Sequence, residues 1–402
     1  MGGHSEYYSY VGTRGYKFYT VANFLSDFLA TDKIIHILSF LTMFHLLNPI
    51  IILNSLSALP ILVSGSPTPD PPAQAQGISS QVDCNSDFEG YAFLYFSNRG
   101  EKIYLAASNG NDALSFTELN NGKPILTSTE GDRGVRDPFI LRSHNGSKFY
   151  ILATDLCIGC GTSWGDAQRF GSRYLEIWES NDLVTFSAQR HVEVSPANYG
   201  NTWAPEVYYD EELQTYVVYW ASGIYDNESN PNHDPIEYQR MVYATTEDFT
   251  TFSEPKVWQD DPPHGRIDST VIKENGVYHR FTKATVNGCA DIVQESSSSL
   301  TATLDEWNII ATCIGKNAGT QDVEGPSIFR TNCQDVNGPR YILLADEFGG
   351  DGYVPLESSN LAGGKWTLGK DFNYPKSPRH GTIIPLTLNE LETIQKAFPN
   401  TA

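Results

Sequence analysis

The chain has 402 residues, 12% of them aromatic, and a formal net charge of -21. This acidity argues against nucleic acid as a partner, because a phosphate backbone repels a negatively charged protein surface. The length is ample for a large buried core, and an all-β chain of this size needs no second domain.

Residues 1–64 form a hydrophobic N-terminal segment, which we predict to be a targeting signal. Within it, residues 34–64 contain no Asp, Glu, Lys or Arg and are long enough to span a bilayer. The Pro-rich stretch 65–84 indicates a linker. A cleaved signal peptide and an uncleaved signal anchor both fit, and either one exports residues 85–400. We therefore expect a secreted protein, or one tethered to a membrane by its anchor.

The cysteines favour disulfide bonds over other cysteine chemistry. An even number in an exported chain predicts pairing, although the connectivity cannot be deduced. The six are Cys84, Cys157, Cys160, Cys289, Cys313 and Cys333. The spacing Cys157-x-x-Cys160 also fits half of a redox or zinc site, but no second close pair of Cys or His residues completes a zinc set. Acceptor sequons at Asn145 and Asn227 predict a glycoprotein.

From about residue 85 onward the pattern is that of an all-β protein. Short β-branched and aromatic runs alternate with turn residues, and no long segment has helical periodicity. The clearest runs are 91–96, 149–153, 216–220, 277–281 and 341–344.

A short repeat follows five of the strand-like segments. Each copy has a Ser, Asn or Thr, often an Asp, then a Leu or Phe, and a Phe or Trp a few residues later. The copies are 108–116, 180–186, 246–252, 299–307 and 359–366. Repeats of short strands at this spacing predict a five-bladed β-propeller. We expect the strand at 91–96 to pair with residues 381–386 and close the ring.

Acidic motifs stand where the channel-lining strand of a blade is expected. These motifs are Arg136-Asp137-Pro138, Trp203-Ala204-Pro205-Glu206, Ile267-Asp268-Ser269 and Glu324-Gly325-Pro326. Hydrolysis of a glycosidic bond with inversion needs an acid and a base about 6.5–9.5 Å apart, with room for a water. A third carboxylate can raise the pKa of the acid. Such motifs are also ordinary turn chemistry, but their register with the blade repeat favours catalysis.

Taken together, these motifs resemble glycoside hydrolase family 43, the inverting arabinofuranosidases, xylosidases and arabinanases. The resemblance covers about residues 88–390 and implies a five-bladed propeller. It implies that Asp137 is the general base, Glu324 the general acid, and Asp268 the carboxylate that tunes and orients the acid. One departure is Ser269, where the family often has Pro.

The resemblance also implies roles for residues around the pocket. Trp203 resembles a wall of the sugar site, and His380 resembles a channel histidine that in many members hydrates a calcium ion. No other cofactor is required. We expect Arg136, Glu206 and Arg379 to contact substrate as well. The Gly- and Cys-rich loop 157–167 is distinctive and is expected to shape the pocket.

The predicted function is removal of terminal pentose, above all α-L-arabinofuranose, from plant cell-wall polysaccharides or oligosaccharides by a monomeric enzyme. A β-xylosidase and a galactosidase or galactofuranosidase of the same family remain open. A non-catalytic carbohydrate-binding propeller is disfavoured by the intact set of carboxylates. A retaining fructosidase is disfavoured because its early Asn-Asp-Pro-Asn motif is missing near the first strand.

Overall fold

A computed structural model describes residues 87–97 and 99–401. The targeting segment predicted for 1–64 and the linker predicted for 65–84 lie outside the described residues. Among the described helices, none combines the length and apolar character needed to cross a membrane.

The described residues form twenty strands in five four-stranded antiparallel sheets, which are the blades of a propeller. Blade 1 contains β1 (Phe88–Ser97), β2 (Gly100–Ser108), β3 (Phe116–Glu118) and β20 (Pro378–Thr387). Blade 2 contains β4 (Val135–Arg142), β5 (Phe149–Asp155), β6 (Tyr174–Ser180) and β7 (Arg190–Glu193). Blade 3 contains β8 (Trp203–Asp210), β9 (Thr215–Gly223), β10 (Gln239–Thr246) and β11 (Lys256–Gln259). The predicted five-bladed propeller is confirmed.

The remaining two blades follow the same order. Blade 4 contains β12 (Arg266–Glu274), β13 (Val277–Val286), β14 (Cys289–Ser297) and β15 (Asn308–Ala311). Blade 5 contains β16 (Val323–Arg330), β17 (Tyr341–Glu347), β18 (Gly352–Ser358) and β19 (Thr367–Leu368). Three short α-helices accompany them: α1 (Trp164–Arg169), α2 (Ile314–Ala318) and α3 (Leu388–Ala397).

The C-terminal strand closes the ring, as predicted. Tyr91 in β1 pairs with Pro385 in β20, and Tyr95 pairs with Gly381. The innermost strand of blade 1 is therefore β20, whereas each other blade begins with its innermost strand. Consecutive inner strands contact one another around the axis. The pairing of β1 with β20 thus joins the last strand to the first blade and closes the ring.

The sequence repeat forms the turn between the third and fourth strands of a blade. Ser180 Oγ accepts a hydrogen bond from the backbone N–H of Leu183 at 2.8 Å. Thr246 Oγ1 does the same for Phe249 at 3.0 Å. The hydroxyl thus satisfies a turn amide while the Leu or Phe side chain, buried in both cases, enters the core. The repeated residues are structural.

Hydrophobic side chains fill the interfaces between neighbouring blades. Between blades 1 and 5, the ring of Tyr91 lies 5.9 Å from that of Phe329, and the ring of Phe93 lies 6.1 Å from that of Tyr353. Burial of large aromatic side chains is the main favourable contribution to stability in such interfaces. The blades are therefore held at fixed positions around the channel.

One buried ionic cluster lies between blades 3 and 4. Glu295 accepts hydrogen bonds from Arg266 at 3.0 Å and from Arg280 at 2.7 Å. The guanidinium of Arg280 lies between the rings of Trp258 and Trp307, at 4.6 and 4.0 Å from their centroids. The three charged side chains are at most 3% exposed, so their contacts with one another must offset much of their lost hydration.

We expect Glu295→Gln to reduce the free energy of unfolding by about 3–5 kcal/mol, because two buried guanidinium groups lose their counter-charge. Urea unfolding followed by tryptophan fluorescence measures the change. Asp322→Asn is the control, since Asp322 pairs with Lys316 at 3.5 Å on the surface and its loss should cost less than about 1 kcal/mol. Equal midpoints for Glu295→Gln and the wild type would contradict the expectation.

Candidate active site

All five inner strands are irregular at the same end of the channel, where the acidic motifs begin. The pairing of each inner strand with its neighbour shifts register there. In four of them a residue with positive φ lies at the shift: Asp137 (φ 50), Ala204 (φ 50), Asp268 (φ 54) and Gly325 (φ 54). A bulge leaves a residue unpaired and redirects its side chain. Two of these four residues, Asp137 and Asp268, carry carboxylates. Backbone strain at such residues indicates a functional site.

Asp137 is held by contacts from three blades. Its Oδ2 accepts a hydrogen bond from Thr154 Oγ1 at 2.8 Å, and Thr154 Oγ1 accepts one from the backbone N–H of Ala204 at 2.8 Å. Its Oδ1 lies 3.5 Å from Nδ1 of His380. The Trp-Ala-Pro motif therefore positions the predicted base through Thr154. The Asp137 side chain remains 14% exposed, so it is open to water.

Asp268 fixes the strand that carries the predicted acid. Its Oδ2 accepts a hydrogen bond from the backbone N–H of Gly325 at 3.1 Å. A Cβ at Gly325 would lie 3.0 Å from Cγ of His380, so the glycine is required by close packing as well as by its positive φ. Burial raises the pKa of Asp268, and the nearby His380 opposes the rise.

Glu324 is the carboxyl group that the surroundings keep protonated. Burial and, to a smaller extent, the negative charges of Asp268, Asp346 and Asp137 together raise its pKa from an ordinary value of 4.5 to about 8. The ammonium group of Lys283 opposes this rise. At neutral pH this side chain therefore carries the proton that a general acid must donate.

Asp346 belongs to the site, and the sequence motifs did not reveal it. It ends an apolar run in β17 and lies opposite Glu324 in the strand pairing. It is 4% exposed and accepts hydrogen bonds from Arg379 Nη1 at 2.6 Å and from the backbone N–H of His380 at 3.3 Å. Its position opposite Glu324 depends on the register between β16 and β17. This register cannot be deduced from a single sequence.

Arg136 and two tryptophans form one wall beside Asp137. The Arg136 guanidinium binds Glu101 at 3.0 Å and lies 4.5 Å from the Phe96 ring centroid and 5.2 Å from that of Trp164. Trp164 meets Trp203 edge to face at 5.9 Å. The predicted pocket residues Arg136 and Trp203 are thus linked through Trp164, which is 49% exposed.

The distinctive loop 157–167 is tied to this wall. Glu101 accepts hydrogen bonds from the backbone N–H groups of Ile158 at 2.9 Å and Gly159 at 3.0 Å. Cys157 and Cys160 form a disulfide, which confirms the predicted disulfide pairing. A second disulfide joins Cys289 and Cys313, and Cys333 is also disulfide-bonded.

Glu206 and Arg379 are placed differently from what the sequence suggested. Glu206 is 4% exposed and lies 3.4 Å from the Tyr219 hydroxyl, and burial raises its pKa well above the ordinary value. Arg379 binds Asp346 and donates to the backbone carbonyls of Glu347 and Phe348. Because both side chains are occupied with protein groups, we assign them supporting roles in place of direct contact with sugar.

One group in the described residues brings three metal-type ligands together: Asp155, Glu176 and His191, with ligand atoms within 4.8 Å. Protein donors already occupy it, since His191 Nδ1 lies 2.6 Å from Glu176 and the N–H of Asp132 donates to Asp155 at 2.8 Å. His380 belongs to no such group among the described residues. The calcium near His380 remains a prediction, and the chemistry below does not use it.

A five-bladed propeller with a cluster of carboxyl groups at one end of its channel, one of them with a raised pKa, fits a glycoside hydrolase. The comparison with protein families agrees: the family described as "Probable glycosyl hydrolase domain", related to glycoside hydrolase family 43, matches residues 86–392. The chain belongs to this family. The resemblance inferred from the motifs is confirmed.

Individual relatives are also similar to this chain. An α-L-arabinofuranosidase of Bifidobacterium longum subsp. longum is 35% identical over 291 residues, which cover 64% of this chain and 27% of the relative. The chain thus matches about a quarter of the length of that enzyme. Among solved structures, Penicillium chrysogenum α-L-arabinanase has a TM-score of 0.45 and 14% identity, covering 71% of this chain and 83% of the arabinanase. A putative exo-β-1,3-galactanase from Bifidobacterium bifidum has a TM-score of 0.47 and 13% identity, covering 74% and 93%.

We expect kcat/KM to fall as pH rises through about 8, because the acid Glu324 is protonated below its pKa of about 8 and loses its proton above it. Asp346→Asn removes a negative charge that raises this pKa, so the alkaline limb should move to lower pH by about one unit. Initial rates between pH 5 and 10 measure the shift. Asp351→Asn, at an exposed position in the next turn, is the control and should leave the limb in place. An unmoved limb in Asp346→Asn would count against the assigned electrostatics.

Proposed function

We propose that the protein is an inverting exo-acting glycoside hydrolase that releases terminal α-L-arabinofuranosyl residues from plant cell-wall polysaccharides or oligosaccharides. The observation that carries the proposal is the environment of Glu324, whose pKa is raised to about 8 by burial and by three neighbouring carboxylates. A carboxyl group kept protonated at neutral pH, next to an accessible second carboxylate, is the arrangement that acetal hydrolysis requires.

Glu324 acts on the leaving group. Its carboxyl proton passes to the glycosidic oxygen as the bond from that oxygen to the anomeric carbon breaks, so the sugar chain leaves as a neutral alcohol. Asp268 supports this step in two ways. Its hydrogen bond to the Gly325 amide fixes the bulge next to the acid, and its negative charge keeps the proton on Glu324 until the leaving oxygen takes it.

Asp137 acts on the attacking water. The carboxylate takes a proton from water as the water oxygen bonds to the anomeric carbon on the face opposite the leaving group, which inverts the configuration. The hydrogen bond from Thr154 and the proximity of His380 hold Asp137 in position. This preorganisation lowers the barrier because the base does not have to be ordered during the reaction.

The choice of sugar rests on two supports. The Bifidobacterium longum relative, 35% identical over 291 residues, is an α-L-arabinofuranosidase. The indole rings of Trp164 and Trp203, which meet edge to face in the wall that contains Arg136, offer apolar surface for the C–H face of a small sugar ring. Export of the enzyme stays a prediction based on the hydrophobic stretch 34–64.

The test is hydrolysis of nitrophenyl glycosides by the full chain: α-L-arabinofuranoside, β-D-xyloside, β-D-galactoside and β-D-galactofuranoside. We expect turnover of the arabinofuranoside, with β-L-arabinose as the first product seen by proton NMR. Asp137→Asn should lower kcat on the nitrophenyl arabinofuranoside by about 10²–10⁴-fold, since it removes the proton transfer from water. Glu324→Gln should lower kcat by about 10²–10⁴-fold on methyl α-L-arabinofuranoside, whose alkoxide leaving group needs a proton, and by less on the nitrophenyl glycoside, whose phenolate leaves without one. Glu212→Gln, an exposed position in the turn after β8, is the matched control and should retain full activity.

Three results would contradict parts of the proposal. Release of the α-anomer first would show retention and exclude the assigned mechanism. Preferred turnover of the xyloside or a galactoside would replace the sugar and leave the mechanism intact. Sugar binding without turnover by the folded wild type would favour a carbohydrate-binding propeller.

A further inference from the structure

A hollow on blade 5 lies directly beside the strand that carries Glu324. Its volume is about 390 Å³, within the range of about 300–1,000 Å³ typical of small-molecule sites. It is lined by Lys316, Thr320, Gln321, Asp322, Phe348 and Gly349. Asp322 immediately precedes β16, so the hollow ends two residues before the general acid.

Phe348 supplies an aromatic surface in this hollow. Its side chain is 42% exposed, although a ring of this size would normally be buried. The backbone around it is held in place, because Arg379 Nη2 donates to the carbonyl of Phe348 at 2.6 Å and Arg379 Nη1 donates to that of Glu347 at 3.0 Å. The backbone that carries the exposed ring is therefore anchored to Arg379.

Lys283 connects the ring to the acid. Its Nζ donates to the carbonyl of Val323, the residue before Glu324, at 2.6 Å, and lies 5.6 Å from the Phe348 ring centroid. The same ammonium group is close enough to Glu324 to lower its pKa. The Lys283 ammonium thus lies between the Phe348 ring and the strand segment that carries the acid.

The opposite wall of the hollow is also rigid. The Asp291 carboxylate accepts hydrogen bonds from the backbone N–H groups of Gly315 and Lys316, both at 2.9 Å. The backbone N–H of Gln321 donates to Glu347 at 2.9 Å. Within the lining, the Lys316 ammonium lies 3.5 Å from the Asp322 carboxylate, so these two charges offset each other and favour an uncharged ligand.

We propose that this hollow is the subsite for the leaving group, and that it takes a neutral pyranose unit of the chain from which the terminal sugar is cut. The inference rests on the proposed function, because a general acid must contact the oxygen of the leaving group and the leaving group therefore lies on the Glu324 side. Phe348 stacks on the C–H face of the pyranose ring, while Thr320, Gln321 and Lys316 bond to its hydroxyl groups. A few polar groups around one aromatic surface is the composition expected of a sugar subsite.

The test compares two substrates that share a glycosidic bond and differ in leaving group. Methyl α-L-arabinofuranoside releases methanol, which is too small to fill the hollow, whereas an arabinofuranosylated xylo-oligosaccharide releases a pyranose chain. We expect Phe348→Ala to lower kcat/KM about tenfold for the oligosaccharide and less than about twofold for the methyl glycoside. Phe348→Tyr, which keeps the ring, should restore the oligosaccharide rate.

Val336→Ala is the matched control, because Val336 is 71% exposed and lies in the connection at the opposite end of β16 and β17. Equal effects of Phe348→Ala on both substrates, or no effect on either, would overturn the subsite.

Xylotetraose titrated into the wild type and Phe348→Ala, followed by calorimetry, gives a readout that needs no turnover. If the wild type cleaves no arabinofuranoside, the proposed function fails, and this titration alone decides the subsite: weaker binding by Phe348→Ala supports it, and unchanged binding overturns it.

Discussion

Four carboxyl groups, those of Asp137, Asp268, Glu324 and Asp346, lie close together at one end of the propeller channel. Little water reaches this cluster, and negative charges on its members repel one another. Burial and repulsion raise the pKa of Glu324 from 4.5 to about 8. A carboxyl group whose pKa is higher in the folded than in the unfolded state lowers stability as pH rises between the two values, here from 4.5 to about 8. The aromatic interfaces between the blades offset this cost. The site's main chemical property, an acid protonated at neutral pH, follows from this unfavourable arrangement.

The bulges at the start of the inner strands hold the carboxyl groups in this cluster. In a regular strand, side chains alternate between two faces, and neighbouring strands cannot all direct a chosen residue at the same point on the axis. A residue with positive φ at Asp137, Ala204, Asp268 and Gly325 breaks the alternation in four strands at the same level. Hydrogen bonds from one blade to the next, such as that from Gly325 to Asp268, then hold the bulges. The fold thereby sets both the positions of these carboxyl groups and the raised pKa of Glu324.

Local patterns in the sequence were enough to predict the propeller and the motif residues, because each blade repeats the same turn and begins with a recognisable acidic segment. These local patterns do not predict contacts between segments that are distant in the chain. Asp346 and Lys283 affect Glu324 only through strand pairing and blade packing, and neither has a local signature. Glu206 has a motif as clear as that of Asp268, yet its burial against Tyr219 indicates a supporting role. Whether a carboxyl group reaches substrate depends on burial, which one sequence does not reveal.

The most direct measurement is the protonation of Glu324 itself. Carbon-13 NMR of protein labelled at the glutamate side-chain carboxyl carbon, recorded between pH 4 and 9.5, follows each glutamate separately. Glu324→Gln removes one signal and so assigns it. We expect the Glu324 signal to keep the chemical shift of a protonated carboxyl at neutral pH and to titrate near pH 8. Titration near the ordinary glutamate value of 4.5 would contradict it, because Glu324 would then be ionised at neutral pH and could not act as the general acid.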